Sequence, residues 1–303
     1  MPDLIQQVFV KEGVTLDVLR LDKLNALAPG NKWFKLVLNL AAARAAGAQT
    51  ILSFGGAFSN HLHAMAAIAR SQGLAAVACV RADAEQALTP TLQDVVAWGV
   101  DLHFLSRSEY RRRHDPSFVA EILSQYKQPY LIPEGGANVL GAQGCGEVAA
   151  LIPEGGREYD VVALACGTGT TLAGLSARLA DGVKLLGIPV LKAEAYMAAD
   201  IQRMQLALGH HRRNWTLDHR FHGGGYARLS ADLRDFILAF EARRGIPLDP
   251  VYTAKMMYAV TSMIDKCEFP AGFRVLAIHT GGLQGRRGYP ELITALPATG
   301  SGQ

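Results

Sequence analysis

The strongest constraint in this chain is an alternation. Short, continuously apolar runs of strand length are separated by alanine- and leucine-rich stretches of helix length, up to about residue 279. Residues 8–10 and 14–21 read as a strand pair around Gly13, and 50–54, 74–80, 101–105, 130–132, 160–165, 183–191 and 273–278 as further strands. Residues 32–46, 60–72, 89–98, 117–126, a stretch ending near Leu151, one ending at Ala180, 193–208, 231–244 and 251–266 read as helices. Strands without polar alternation are buried on both faces, and strands separated by helices run parallel. The predicted fold class is α/β: two lobes, each an open, mostly parallel sheet flanked by helices. At 303 residues the chain exceeds one ordinary core. It shows no fixed-period repeat and no long linker, so the lobes must pack closely. We place the smaller lobe at residues 47–135 and the larger at 1–46 plus 136–303.

Composition narrows the function classes. Half of the residues are hydrophobic and 19% are charged, which suits a packed core and not a disordered chain. A net charge of +3 with interspersed signs gives no nucleic-acid footprint, and Arg111-Arg112-Arg113 reads as a short solvated face. No apolar run reaches membrane-spanning length, and no basic and apolar leader opens the chain. The expected location is therefore cytoplasmic. Cys79, Cys145, Cys166 and Cys267 have no metal-ligand spacing and are too sparse for a disulfide framework. His61 and His63, two residues apart, are a poor metal pair on a helix. The G-x-S-x-G pattern is missing, which tells against that class of hydrolase. The polar segment 210–215 reads as exposed, and the small, polar tail from Ala295 as frayed.

Four predicted strands end in glycine-rich turns that open helices, at 53–60, 132–138, 165–171 and 278–285. Ligands of open α/β sheets bind beyond the carboxyl ends of the strands, so these turns face one cleft. The run Gly167-Thr168-Gly169-Thr170-Thr171 after Cys166 has the character of an anion cradle, with helix N-terminal amides, close backbone approach and hydroxyl donors. It lacks the lysine of a P-loop and the third glycine of a dinucleotide fingerprint, so a mononucleotide or phosphorylated cofactor suits it better. A tight turn holding no ligand is the plain alternative. Lys32 sits just inside a helix start, where the dipole disfavours a cation. It is either an exposed, solvated lysine or a desolvated amine that bonds covalently to an aldehyde cofactor. Lys35, one turn on, is the rival anchor.

The ordered set Gly30-Asn31-Lys32-x-x-Lys35-Leu36, Ser59-Asn60-His61, Pro133-Glu134-Gly135-Gly136 and 167–171 continues with His222-Gly223-Gly224-Gly225-Tyr226. Asp249-Pro250-Val251-Tyr252 and His279-Thr280-Gly281-Gly282 complete it. Together these motifs resemble the pyridoxal-phosphate (PLP) family of aminocyclopropane-carboxylate (ACC) deaminase and D-cysteine desulfhydrase, along nearly the whole chain. The resemblance implies a tryptophan-synthase-β-like fold with PLP between two lobes, attached covalently to Lys32. It implies Asn60 on the cofactor's 3-oxygen, the turn of Gly167, Thr168, Gly169, Thr170 and Thr171 on its phosphate, and Tyr252 against its ring. Ser59, Asn60, His61, Tyr226 and Tyr252 would meet a small amino-acid substrate, with Lys32, Ser59 and Tyr252 catalytic. A homodimer is implied too.

One position divides the family. The residue after Tyr252 faces the pyridine nitrogen and is glutamate in the deaminase pattern; here it is Thr253. A hydroxyl leaves the ring a weaker electron sink, which suits β-elimination better than opening a cyclopropane. The expected activity is D-cysteine desulfhydrase-like, with ACC deamination as the alternative, and hydrolase is expected beside lyase as a broad class. A non-catalytic PLP carrier or regulator is the alternative of another class, and a nucleotide-binding α/β protein a further one. Trp33-Phe34 and Ala57-Phe58 depart from the family's usual residues beside the lysine and the serine.

Overall fold

The computed structural model describes residues 4–293, apart from positions 84 and 86. The chain opens with a hairpin, β1 (Ile5–Lys11) and β2 (Val14–Arg20), followed by helix α1 (Asn31–Ala45). Next come β3 (Thr50–Gly56), α2 (Asn60–Gln72), β4 (Ala75–Arg81), α3 (Pro90–Ala97) and β5 (Asp101–Leu105). Two short helices, α4 (Arg107–Arg111) and α5 (Pro116–Leu123), lead to β6 (Pro129–Ile132) and α6 (Val139–Gly146). Then β7 (Val161–Cys166), α7 (Thr170–Arg178), β8 (Lys184–Pro189), α8 (Met197–Ala207) and β9 (Trp215–Leu217) follow. The described chain closes with α9 (Ala231–Arg244), α10 (Thr253–Asp265), β10 (Arg274–His279) and α11 (Pro290–Ile293). None of these helices is long and apolar enough to cross a membrane.

The strands form two sheets, in the orders β1-β2-β10-β7-β8-β9 and β5-β4-β3-β6. Every pairing is parallel except β1 with β2, whose connection through Glu12 and Gly13 is too short for a crossover. Each sheet is covered on both faces, as apolar strands require. Val161, Ala163 and Ala165 of β7 point into one core, and Val162, Leu164 and Cys166 into the other. In the smaller sheet Ile51 of β3 faces one side, and Leu52 and Phe54 the opposite side. Leu36, Leu40 and Ala43 of α1 share the Ile51 core.

Glycines let three helices stack closely, and this positions the site. A Cβ on Gly144 of α6 would sit 2.0 Å from the Phe34 carbonyl of α1. A Cβ on Gly174 of α7 would sit 2.0 Å from the Ala142 carbonyl of α6. The helix that carries both lysines is thereby locked, through α6, to the helix that the 167–171 turn opens.

Several local expectations change. The helix expected to end near Leu151 stops at Gly146, and a 3-10 turn takes Glu147–Leu151. The 210–215 segment is not simply exposed. Arg212 donates to the Leu179 carbonyl at 2.9 Å, and the half-buried Trp215 begins β9 and donates to Gln205 at 3.3 Å. Within the arginine run, Arg113 is paired instead of solvated, its Nε 2.7 Å from Glu134. The tail from Ala295 lies outside the described residues.

Candidate active site

The site is built from the start of α1. Gly30 caps that helix at φ 85°, and a Cβ there would lie 2.0 Å from the Thr280 carbonyl beyond β10. The Asn31 amide donates to the same carbonyl at 3.2 Å. The first turn of α1 is thus fastened to the carboxyl end of the larger sheet. It presents Lys32 to the cleft, while Lys35, one turn on, is buried.

The two lysines do different things. Lys32 Nζ donates to Asn31 Oδ1 at 2.6 Å and lies 5.6 Å from the centre of the Tyr252 ring. Burial, with the charge of Lys35 added, lowers its amine from 10.5 to about 7, so a neutral nucleophile is present near neutral pH. Lys35 reaches the other way, to Thr168 Oγ1 at 3.4 Å, and burial lowers its amine too. The rival anchor is therefore placed at the cradle.

The cradle is the turn between β7 and α7. Gly169 takes φ 74°, and a Cβ there would meet Ile201 at 2.5 Å. Thr168 and Thr170 hydroxyls lie 2.7 Å apart, and Thr171 accepts from Asn31 Nδ2 at 3.0 Å. The first-turn amides of α7 have no partner one turn back, so they are available to an anion. Tyr252 packs on this turn, 3.2 Å from where a Gly167 Cβ would be. Tyr226 meets the Tyr252 ring edge-on at 6.2 Å.

The smaller sheet supplies the opposite wall. Ser59 caps α2, its Oγ accepting from the Leu62 amide at 3.2 Å. Asn60 is buried, and its Oδ1 accepts from Gln284 at 2.7 Å. His61 Nε2 is 2.9 Å from Ser53 Oγ, and its Nδ1 is buried without a partner. Burial and the two lysine charges hold this imidazole neutral, down to about 3. His63 faces away and pairs with Asp94 at 2.9 Å. Thr253 is fully buried at the start of α10, where its hydroxyl accepts from the Asp249 amide at 2.8 Å and donates to the Asp249 carbonyl at 3.3 Å. Direct contacts gather Lys32, Tyr252, Tyr226, the 167–171 turn, Asn60 and His61 around one cleft, with Ser59 at the start of α2 beside Asn60, whereas Thr253 lies behind the lining, its hydroxyl held on both sides by the Asp249 backbone.

Two residues from the larger-sheet side meet this wall: Gln284, which the sequence did not single out, and Asp249, which it did only as part of a motif. Gln284 orients the Asn60 amide. Asp249 uses Oδ1 for the Tyr252 and Thr253 amides, at 2.5 and 3.0 Å, while Oδ2 is buried and free. That free oxygen faces the Gly282 and Asn60 side, 3.0 Å from where a Gly282 Cβ would stand. Burial raises its carboxyl to about 6 despite the amide bonds. The Asp249-Pro250 pair was visible in the sequence, but a free buried oxygen has no sequence signal.

An amine that can be neutral stands at one end of this cleft, an anion cradle with Lys35 at the other, and an aromatic ring between. These residues fit a phosphorylated aldehyde. The sequence profile of the pyridoxal-phosphate dependent enzyme family matches residues 11–281. The chain belongs to that family. PLP is its cofactor, and it is a PLP-dependent lyase or deaminase. A bifunctional D-cysteine desulfhydrase/1-aminocyclopropane-1-carboxylate deaminase from Arabidopsis thaliana is 30% identical over 90% of this chain and 73% of its own. A D-cysteine desulfhydrase from Klebsiella pneumoniae is 30% identical, covering 84% of this chain and 82% of its own. The crystal structure of an ACC deaminase homologue superposes with a TM-score of 0.82 at 27% identity, covering 96% of this chain and 93% of that one. The broad class of hydrolase is set aside, since the family places the chain among PLP-dependent lyases and deaminases.

The lowered amine of Lys32 gives a pH prediction. Below about 7 the amine is protonated and cannot attack an aldehyde; above it the neutral form dominates. The rate at which PLP is captured by cofactor-free protein is expected to climb through pH 7 and level off well before 9. A capture rate still rising tenfold per pH unit from 8 to 9 would mean an ordinary solvated lysine.

Proposed function

We propose that the enzyme is a β-elimination lyase of the D-cysteine desulfhydrase kind, converting D-cysteine and water to pyruvate, ammonia and hydrogen sulfide. The observation that carries the choice is Thr253. At the position that resemblance assigns to the pyridine nitrogen stands a buried hydroxyl, held by the Asp249 backbone, where the deaminase pattern has a carboxylate. A bound PLP supplies an electron sink for the pair left at the substrate's α-carbon. A hydroxyl in place of that carboxylate would leave the sink modest, which is enough when sulfide is the leaving group.

The chain's own groups divide the rest. Ser59 Oγ already accepts from the Leu62 amide, which leaves its hydrogen free for a substrate carboxylate. The N-terminus of α2 favours the same negative charge. Lys32 would take the α-proton; its low proton affinity suits it to gain and lose a proton near neutral pH. The edge-to-face rings of Tyr226 and Tyr252 would give the substrate an apolar wall.

The test is product analysis with D-cysteine and with ACC. Sulfide and pyruvate from D-cysteine, with little 2-oxobutyrate from ACC, is the expected result. Thr253→Glu should move the ratio of the two activities by about tenfold or more toward ACC, the scale of one differential hydrogen bond to a charged group. ACC as the better substrate of the unaltered protein would establish the deaminase alternative, which the Arabidopsis relative's double name also supports. Bound PLP with no turnover across D- and L-amino acids would leave a carrier or regulator.

A further inference from the structure

A third buried lysine lies outside the chemistry described so far. Lys255 is in the first turn of α10 and only 1% exposed. That is a poor place for a cation: the helix dipole opposes it, and burial strips its water. Among the described residues no carboxylate pairs with it, although the charge of Asp249 acts on it from a distance. Its Nζ donates to three backbone carbonyls instead, Val190 at 3.1 Å, His222 at 2.9 Å and Gly225 at 2.7 Å. An ammonium has three hydrogens, and each has one acceptor here.

The carbonyls come from two loops. Val190 follows β8, and His222 and Gly225 belong to the glycine turn ahead of Tyr226. That turn is costly to hold. Gly223, Gly224 and Gly225 have φ of 61°, 82° and 129°, and Ala227 takes 57° with a Cβ. Within the turn, Gly225 N donates to His222 O at 3.1 Å, Arg228 N to Gly225 O at 3.4 Å and Gly224 N to His222 Nδ1 at 3.0 Å; from outside, Tyr289 donates to the Ala227 carbonyl at 2.9 Å, so Lys255 is the one cation that draws its carbonyls together among the described residues. A Cβ on Gly223 would press on Lys255 Cε at 3.2 Å, so this glycine also makes room for the lysine stem.

Carbonyl oxygens converging without an acid are how proteins replace the water shell of a monovalent cation. We propose that Val190, His222 and Gly225 form a monovalent-cation site which the Lys255 ammonium fills as a tethered ion, fastening the glycine turn that holds Tyr226 over the cleft. Lys255 is a positioning residue in this scheme. The cage stands apart from the choice of substrate, and its consequence for Tyr226 rests on the cleft described above.

Lys255→Met tests it, because methionine removes the amine, has a flexible end that can turn its methyl off the ammonium position, and leaves the carbonyls in place. The readouts are Tm and amide hydrogen exchange of cofactor-free protein in choline, lithium, potassium and ammonium chlorides at equal ionic strength. Wild-type Tm should be the same in choline and potassium. The variant should melt about 5 °C or more lower in choline, the scale of losing a buried charged hydrogen-bond set. Potassium or ammonium should restore at least half of that, and lithium much less. Protection of the 222–226 amides should follow the same order. Lys255→Ala, with more room, should show the same cation order. A Tm loss equal in all four salts, no loss at all, or variants that fold in none of them would each overturn the proposal. Since neither readout uses turnover or PLP, a wrong substrate assignment cannot produce these failures.

Discussion

Lys32→Ala is expected to abolish the covalent PLP chromophore and to lower turnover by about 10³-fold or more, because in the proposed function one side chain is both anchor and base. The fold should survive, since Lys32 contributes only the Asn31 hydrogen bond and the contact with the Tyr252 ring. Lys35→Ala is the matched control. Its amine sits 3.4 Å from Thr168 Oγ1, so its loss should weaken the hold on the cofactor's phosphate while leaving the covalent bond intact. Absorbance spectra of the two variants, before and after adding PLP, decide the matter. A Lys32→Ala protein that keeps the wild-type chromophore would remove Lys32 as the anchor and the mechanism with it.

Gly30→Ala should be the most damaging single methyl in the site. At φ 85° an L-residue is strained, and the new Cβ would stand 2.0 Å from the Thr280 carbonyl and 2.7 Å from Gly281 Cα. Backbone cannot step aside as a side-chain tip can. The expected loss is about 3 kcal/mol or more, a fall in Tm of about 10 °C. PLP capture should weaken too, since α1 must shift to relieve the clash. Gly47→Ala is the comparison: φ is 69°, but nothing lies within 4 Å of the added Cβ. It bears only the conformational strain, about 1–2 kcal/mol. Equal melting temperatures for the two variants would show that the Gly30–Thr280 contact does not hold the start of α1.

Much of this site was legible because its signals are local. The strand-to-helix turns at 53–60 and 165–171 mark themselves by glycine, and Ser59, a residue type that favours such positions, caps α2. The same locality produced the misses. Arg113 reads as solvated within its own run, yet its partner Glu134 is 21 positions away. Trp215 reads as part of a polar segment until it forms a strand beside β8 and pairs with Gln205. The first two strands, by contrast, were read as a pair around Gly13, and they run antiparallel because their two-residue connection is too short for a crossover.

Hydrophobic period, turn chemistry and helix stops repeat over a few residues, so the sequence alone determined the α/β class, most elements and the place of Lys32 at the head of a helix. What that lysine becomes was decided only in three dimensions. Its lowered proton affinity comes from burial against Tyr252 and from the charge of Lys35. The division of labour between the two lysines comes from the stack of α1 on α6 on α7, which puts Thr168 beside one amine and not the other. The free oxygen of Asp249 and the carbonyl cage of Lys255 have the same origin. Desolvation and hydrogen-bond partners depend on which strand ends become neighbours, and sheet order is a property of the folded chain, not of any stretch within it.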